Sequence, residues 1–133
     1  MIPSIAVFAE RAESREDGKL DLLGVYNCRY VPEVPAQMEM TLALRFDVEP
    51  LDFGIPLAIT VHVMDEDNTE MVSLRAAPMT FGSEHAPGLP LAYDMIVPIS
   101  ISFPREGTWT FDVRVNDRAV GRVPIRVELQ PQA

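Results

Sequence analysis

An alternation of apolar and polar side chains near the C-terminus constrains the fold most strongly. One side of residues 107–116 is apolar and includes the only tryptophan of the chain, and the other side is polar. This two-residue period predicts a half-buried β-strand. A tryptophan on the apolar side needs a thick hydrophobic layer opposite it, which a second sheet would supply. The apolar side carries Trp109, Phe111, Val113 and Val115, and the polar side carries Thr110, Asp112, Arg114 and Asn116.

Similar short alternations, separated by Gly, Pro, Asn and Asp, recur along the whole chain and predict about eight strands. Pro98 interrupts one of them, which predicts an edge strand or a bulge there, and Gly121 indicates a bulge in the last one. The segment from Lys19 to Tyr30 is apolar on both faces, which predicts a strand that is central or covered. We therefore predict an all-β, two-sheet antiparallel sandwich, immunoglobulin-like in architecture, in a single domain spanning residues 1–133.

The charge balance argues against two classes of partner. The 133 residues include 20 acidic and 11 basic side chains, for a formal net charge of -9. Such a chain repels phosphate backbones and anionic membrane surfaces, so we expect no nucleic-acid or membrane partner. Cys28 is the only cysteine, so no disulfide can form within the chain. The N-terminal sequence lacks the pattern of a signal peptide, and we expect a cytoplasmic protein.

Most of the chain resembles a known family, through its first third and through a C-terminal part that carries Gly107, Phe111, Val113 and Val115. The first third carries Phe8-Ala-Glu10, then the run from Asp17 to Tyr26 with the pattern Asp-Gly-Lys-Leu-X-Leu-X-Gly-Val-Tyr, then two Val-Pro pairs. This arrangement is similar to the opening of a family of uncharacterised bacterial proteins, catalogued as a domain of unknown function. The resemblance implies a compact intracellular β-sandwich, and it supplies no active-site residues.

The segment from Pro78 to Pro90 is the longest irregular stretch, and irregular segments of this length are often functional. Its residues Phe81, Ser83, Glu84 and His85 are the candidate binding residues. Apolar side chains in or beside it leave two interpretations open, a cap on the sandwich core or an exposed contact patch. These side chains are Met79, Phe81, Leu89 and Leu91.

A second candidate site is the acidic stretch from Asp65 to Glu70. Its carboxylates are of the ligand type that calcium prefers, and Asp65, Asp67 and Glu70 are the candidate metal ligands. The glycine and glutamate that an EF-hand loop requires are absent. The competing interpretation is a solvated hairpin tip that aids solubility and blocks edge pairing.

Catalysis is the weakest hypothesis, because only His62 and His85 could act as an imidazole base. We expect His62 on the outward face of a strand, solvated or paired across strands. We therefore predict a non-enzymatic module without a cofactor that binds a protein partner or associates with itself. The alternative is a calcium- or small-ligand-binding accessory domain that uses the acidic stretch.

Overall fold

The computed structural model describes residues 1–82 and 91–131, and this part of the chain forms nine strands. None of its helical segments is long and apolar enough to cross a membrane. The strands are β1 (Ile2–Ser14), β2 (Leu20–Tyr26), β3 (Cys28–Val31), β4 (Ala36–Val48), β5 (Ile59–Met64), β6 (Glu70–Arg75), β7 (Leu91–Phe103), β8 (Gly107–Val115) and β9 (Arg118–Leu129).

The strands form two sheets that pack face to face, so the predicted β-sandwich is confirmed. Sheet A has the order β2-β1-β4-β7, and sheet B has the order β3-β9-β8-β5-β6. All pairings between named strands are antiparallel except the one between β3 and β9, which is parallel.

Aromatic side chains fill the layer between the sheets. The ring of Phe8 on sheet A meets that of Phe111 on sheet B edge to face, with centroids 4.8 Å apart. Phe103 and Trp109 make a second contact across the layer at 5.3 Å. The predicted apolar face of the C-terminal hairpin is confirmed, because all four of its side chains are buried. Each buried aromatic or aliphatic side chain contributes about 1.5–3 kcal/mol relative to exposure.

The prediction for residues 19–30 was wrong. This segment is two short strands rather than one, and both are edge strands of different sheets. The chain leaves sheet A at Tyr26, crosses at Asn27 and enters sheet B at Cys28 beside β9. Leu23 and Val25 remain more than half exposed on β2. The apolar side chains of both faces belong to β2, and one of its faces stays exposed, so the two-sided apolarity does not mark a central strand.

The predictions from Pro98 and Gly121 are confirmed. Pro98 lies in β7, the edge strand of sheet A. Pro124 lies in the part of β9 that pairs with β8 but not with β3. The register between β8 and β9 shifts beside Gly121, which leaves Val120 as the extra residue of a bulge.

The outer half of the β1–β2 hairpin crosses the outer surface of sheet A. β1 pairs with β4 only as far as Ala9 and then continues in a ladder with β2 alone. The Ser14 hydroxyl donates to Asp94 of β7, 2.8 Å away, and Arg45 of β4 donates to the carbonyl of Gly18, also at 2.8 Å. These contacts place the hairpin tip over β4 and β7.

Candidate functional site

The predicted binding residues lie partly within the described structure. Phe81 packs edge to face against Tyr93, with ring centroids 5.2 Å apart, and its carbonyl accepts a hydrogen bond from Gly54. Met79 pairs with Leu57 through two backbone hydrogen bonds, and both Met79 and Phe81 pack on the core. The interpretation as a core cap fits these two residues. Ser83, Glu84 and His85, like Leu89, lie outside the described residues.

The acidic stretch is organised by its own backbone. One carboxylate oxygen of Asp65 accepts hydrogen bonds from the N–H groups of Asp67 and Thr69, both at 2.9 Å. The other oxygen accepts from Arg105 at 2.8 Å. The hydrogen bond from Thr69 is the largest cause that lowers the pKa of Asp65 below its ordinary value, and those from Asp67 and Arg105 act in the same direction.

The three candidate metal ligands have different surroundings. Glu70 pairs with His62 on the neighbouring strand, whereas Asp65 closes the turn and pairs with Arg105. Within residues 1–82 and 91–131, no group of three or more Asp, Glu, His or Cys side chains is arranged to hold a metal ion. The calcium site therefore stays a prediction from composition.

His62 points outward from β5 and is held on both ring nitrogens. Its Nδ1 pairs with Glu70, and its Nε2 lies 3.2 Å from the hydroxyl of Thr60. Hydroxyl, imidazole and carboxylate follow one another as they do in nucleophilic triads. Thr60, however, is almost buried and is paired on both sides in an inner strand. We interpret the arrangement as the expected cross-strand pairing of an outward-facing histidine.

A groove opens where one edge of each sheet faces solvent. β7 is the last strand of sheet A and β6 is the last strand of sheet B, and no described strand pairs with their outer edges. The space between them measures about 290 Å³. We call it the open flank. Its lining is Met71, Val72 and Leu74 from β6 and Ile99, Ser100, Ile101 and Ser102 from β7.

At the other flank the chain itself joins the two sheets. There the segment from β2 to β3 passes from one sheet to the other, and the carbonyl of Asn27 accepts a hydrogen bond from Arg126 of β9. β1 also packs directly on β9. A groove of about 320 Å³ also opens on this side, between the β1–β2 ladder and β9. Among the described residues the two flanks therefore differ in the Asn27 crossing that joins the sheets beside this groove, and not in the presence of a groove.

Sequence reasoning found one half of this site and missed the other. The proline at position 98 marked β7 as an edge strand. Nothing in the sequence shows that β6 is the edge of the opposite sheet on the same side, because that depends on the strand order. The apolar groove side chains look like ordinary inward-facing strand residues, and the partial exposure of those on β6 follows only from the packing of the two sheets.

The comparisons with known proteins identify a family without assigning an activity. The sequence of residues 4–128 matches the family described as a family of unknown function, DUF6941, and the chain belongs to that family. No curated protein matches the chain.

Proposed function

We propose that this member of the family is a non-enzymatic protein-binding module that holds an extended segment of a partner protein along the open flank. The supporting observation is the combination of two free strand edges with an apolar groove between them. An incoming strand gains backbone hydrogen bonds from a sheet edge and specificity from pockets for its alternate side chains.

The edge of β7 suits such an addition. Its pairing with β4 runs without a register shift over all 13 residues. Because proline has no N–H, an uninterrupted ladder is easiest to keep if the nitrogen of Pro98 faces the open edge. Every second residue of β7 counted from Pro98, including Ile96 and Ser100, then points its N–H and C=O groups toward the open edge of the sheet. A partner strand would find donors on both sides of position 98 and none at it, which favours one register.

The groove supplies the apolar part of the contact. Ile99 and Ile101 form its floor and are less than a tenth exposed, whereas Val72 at the rim is 37% exposed. A partner side chain that covers this rim removes apolar surface from water, at about 25 cal/mol per Å². The edge of β7 offers backbone hydrogen bonds to the partner segment, and the groove buries its apolar side chains. Both contributions add to the affinity.

Charge favours a different protein over a second copy. Two chains with a formal net charge of -9 each repel one another, and the repulsion is strongest at low ionic strength. A neutral or basic partner has no such cost. We therefore assign the open flank to a heterologous segment with alternating apolar side chains and a basic or neutral character.

Site-specific crosslinking tests this assignment. A photoreactive residue at Ser102, on the open flank, is compared with one at Asp21, on the β1–β2 hairpin, in lysate of the source cells. We expect one partner at Ser102 and not at Asp21. We also expect its loss when Val72→Arg is added, since that change places a charge at the rim. Equal crosslinking at both sites, or persistence with Val72→Arg, contradicts the proposal.

The remaining outcomes separate the alternatives. A crosslink of the protein to itself at Ser102 contradicts the heterologous partner and indicates self-assembly through the same edge. A rise in the thermal midpoint with calcium that chelator reverses, without a crosslinked partner, would favour the ligand-binding alternative at the acidic stretch. In that case Asp67→Asn should remove the rise, while Val72→Arg should leave it unchanged.

A further inference from the structure

Three arginines from three strands share the outer face of sheet B. Thr60 pairs with Arg75 of β6 on one side and with Arg114 of β8 on the other, so the three form one row across the sheet. In the next row, Asp112 lies between His62 of β5 and Arg122 of β9. All these side chains alternate with buried core residues and therefore point away from the core.

The spacing allows the guanidinium groups to reach a common ligand. Neighbouring strands lie ~4.8 Å apart, so Arg75 and Arg114 are separated by ~10 Å at the backbone. Thr60 lies between them, and its hydroxyl is 3.2 Å from Nε2 of His62. Arg122 lies on the next strand beyond Arg114, one row away. Long side chains at these positions can close over the space above Thr60 from more than one direction.

Asp112 contacts two of these arginines through their Nε atoms. Its side chain is 3% exposed, and its Oδ2 accepts a hydrogen bond from Nε of Arg114 at 2.9 Å. Its Oδ1 has no hydrogen-bond partner, and Nε of Arg122 lies 3.9 Å from it. Both contacts use Nε, so the terminal nitrogens of Arg114 and Arg122 have no hydrogen-bond partner within residues 1–82 and 91–131. Arg75 has no ion-pair partner among the described residues.

This face therefore differs in charge from the rest of the molecule. The three arginines face two carboxylates, Asp112 and Glu70, and Glu70 is already engaged by His62. The chain as a whole has a formal charge of -9. The sequence does not show this cluster, because the arginines come from three strands and are brought together only by the register.

From this arrangement we infer that the outer face of sheet B binds a phosphate group, held by Arg75, Arg114 and Arg122 above Thr60. A planar carboxylate is satisfied by one bidentate arginine, whereas a tetrahedral phosphate offers oxygens in several directions. Arginines from two rows of a sheet approach from several directions, which matches the tetrahedral group. Asp112 is a positioning residue that fixes Arg114 and limits the movement of Arg122. The site is separate from the open flank.

Side-chain NMR of the full chain, labelled with ¹⁵N, tests the inference. Inorganic phosphate is added at constant ionic strength, with chloride as the control anion. We expect saturable shifts of the Nε–H signals of the three arginines and none for Arg11, which lies on β1. Arg75→Gln should weaken binding at least tenfold without changing the fold, because Arg75 has no ion pair with another described residue to lose. Arg11→Gln should bind phosphate as the unmodified chain does.

The source of the phosphate is separated by a second titration. A phosphoserine peptide and its unphosphorylated form are compared with inorganic phosphate in the same assay. Tighter saturable binding of the phosphopeptide indicates a modified partner protein, and equal binding indicates a small phosphorylated ligand. Shifts that grow linearly with phosphate, equal shifts at Arg11, or full binding by Arg75→Gln would overturn the inference. The phosphate titrations are independent of the crosslinking experiment at the open flank, so either proposal can fail while the other stands.

Discussion

Each outer face of the sandwich carries a largely buried aspartate that pairs with arginine, Asp94 on sheet A and Asp112 on sheet B, and the two carboxylates differ in how many hydrogen bonds they accept. On sheet A, both oxygens of Asp94 are used, because Arg45 donates to them at 2.7 and 3.0 Å and Ser14 donates to one of them at 2.8 Å. On sheet B, Asp112 has one hydrogen bond and one buried oxygen without a partner.

The difference follows from what covers each face. Sheet A is crossed by its own β1–β2 hairpin, which brings Ser14 and Gly18 to the Arg45–Asp94 pair. Sheet B has no such cover among the described residues, and its arginines keep unused donors. A carboxylate whose two oxygens both accept hydrogen bonds from the same chain indicates a structural role, here the attachment of the hairpin to sheet A. A buried carboxylate that only positions arginines leaves binding capacity on the surface.

The largest expected effect is at Ala43, beneath the hairpin. Ala43 faces outward from β4, between Val7 and Ile96, yet it is fully buried. Ala43→Leu adds volume where the hairpin crosses, and overpacking of this kind should lower the free energy of unfolding by about 2–3 kcal/mol in urea unfolding. The matched change on the uncovered face, Ser73→Leu, should have little effect. Equal effects would mean that the hairpin does not cover Ala43.

The next effect is at Asp94. Asp94→Asn should cost about 2 kcal/mol, because it weakens the charged hydrogen bonds of a largely buried carboxylate to Arg45. The hydrogen bond from Arg45 is the largest cause that lowers the pKa of Asp94, and the one from Ser14 adds to it. The stabilisation is therefore present above the unfolded carboxyl pKa of about 3.9 and is lost as pH falls through the lower folded-state pKa.

The pH dependence supplies the control for this prediction. Urea unfolding of the unmodified chain and of Asp94→Asn should differ most near neutral pH and converge as the solution becomes acidic. Asp21→Asn, on the exposed hairpin strand where Arg15 approaches only to 3.7 Å, should not change the midpoint measurably. If the free energies of unfolding of Asp94→Asn and the unmodified chain differ by the same amount at every pH, the stabilisation by Asp94 does not depend on its carboxylate charge and the prediction is wrong.

The sequence predicted the elements of this fold better than their arrangement. Alternation around Trp109 identified a buried face, and Pro98 identified an edge, because both are local consequences of strand geometry. The split of residues 19–30 at Asn27 could not be predicted in this way, since each half obeys the same period while pairing with a different sheet.

The candidate sites depend on register, which local patterns do not reveal. The placement of Arg75 and Arg114 in one row requires that β5 lie between β6 and β8, and the open flank requires that β6 and β7 end their sheets on the same side. The prediction of an outward-facing Asp112 was right about direction. Its near-complete burial was unexpected, because it depends on side chains contributed by neighbouring strands.

The smallest expected effect is at Asp112, and it tests the comparison most directly. Asp112→Asn keeps an oxygen for Nε of Arg114 but removes a buried charge whose other oxygen is unsatisfied. The lost attraction and the relieved desolvation oppose one another, so the free energy of unfolding should change by less than about 1 kcal/mol in either direction. The measurement is urea unfolding at neutral pH beside Asp94→Asn. If the two substitutions lower the free energy of unfolding equally, Oδ1 of Asp112 must be hydrogen-bonded in solution. The carboxylates on the two faces then have equivalent structural roles. If Asp112→Asn is nearly neutral, the carboxylate on sheet B does little for the fold, and its remaining role is to hold Arg114 and Arg122 in position for a ligand.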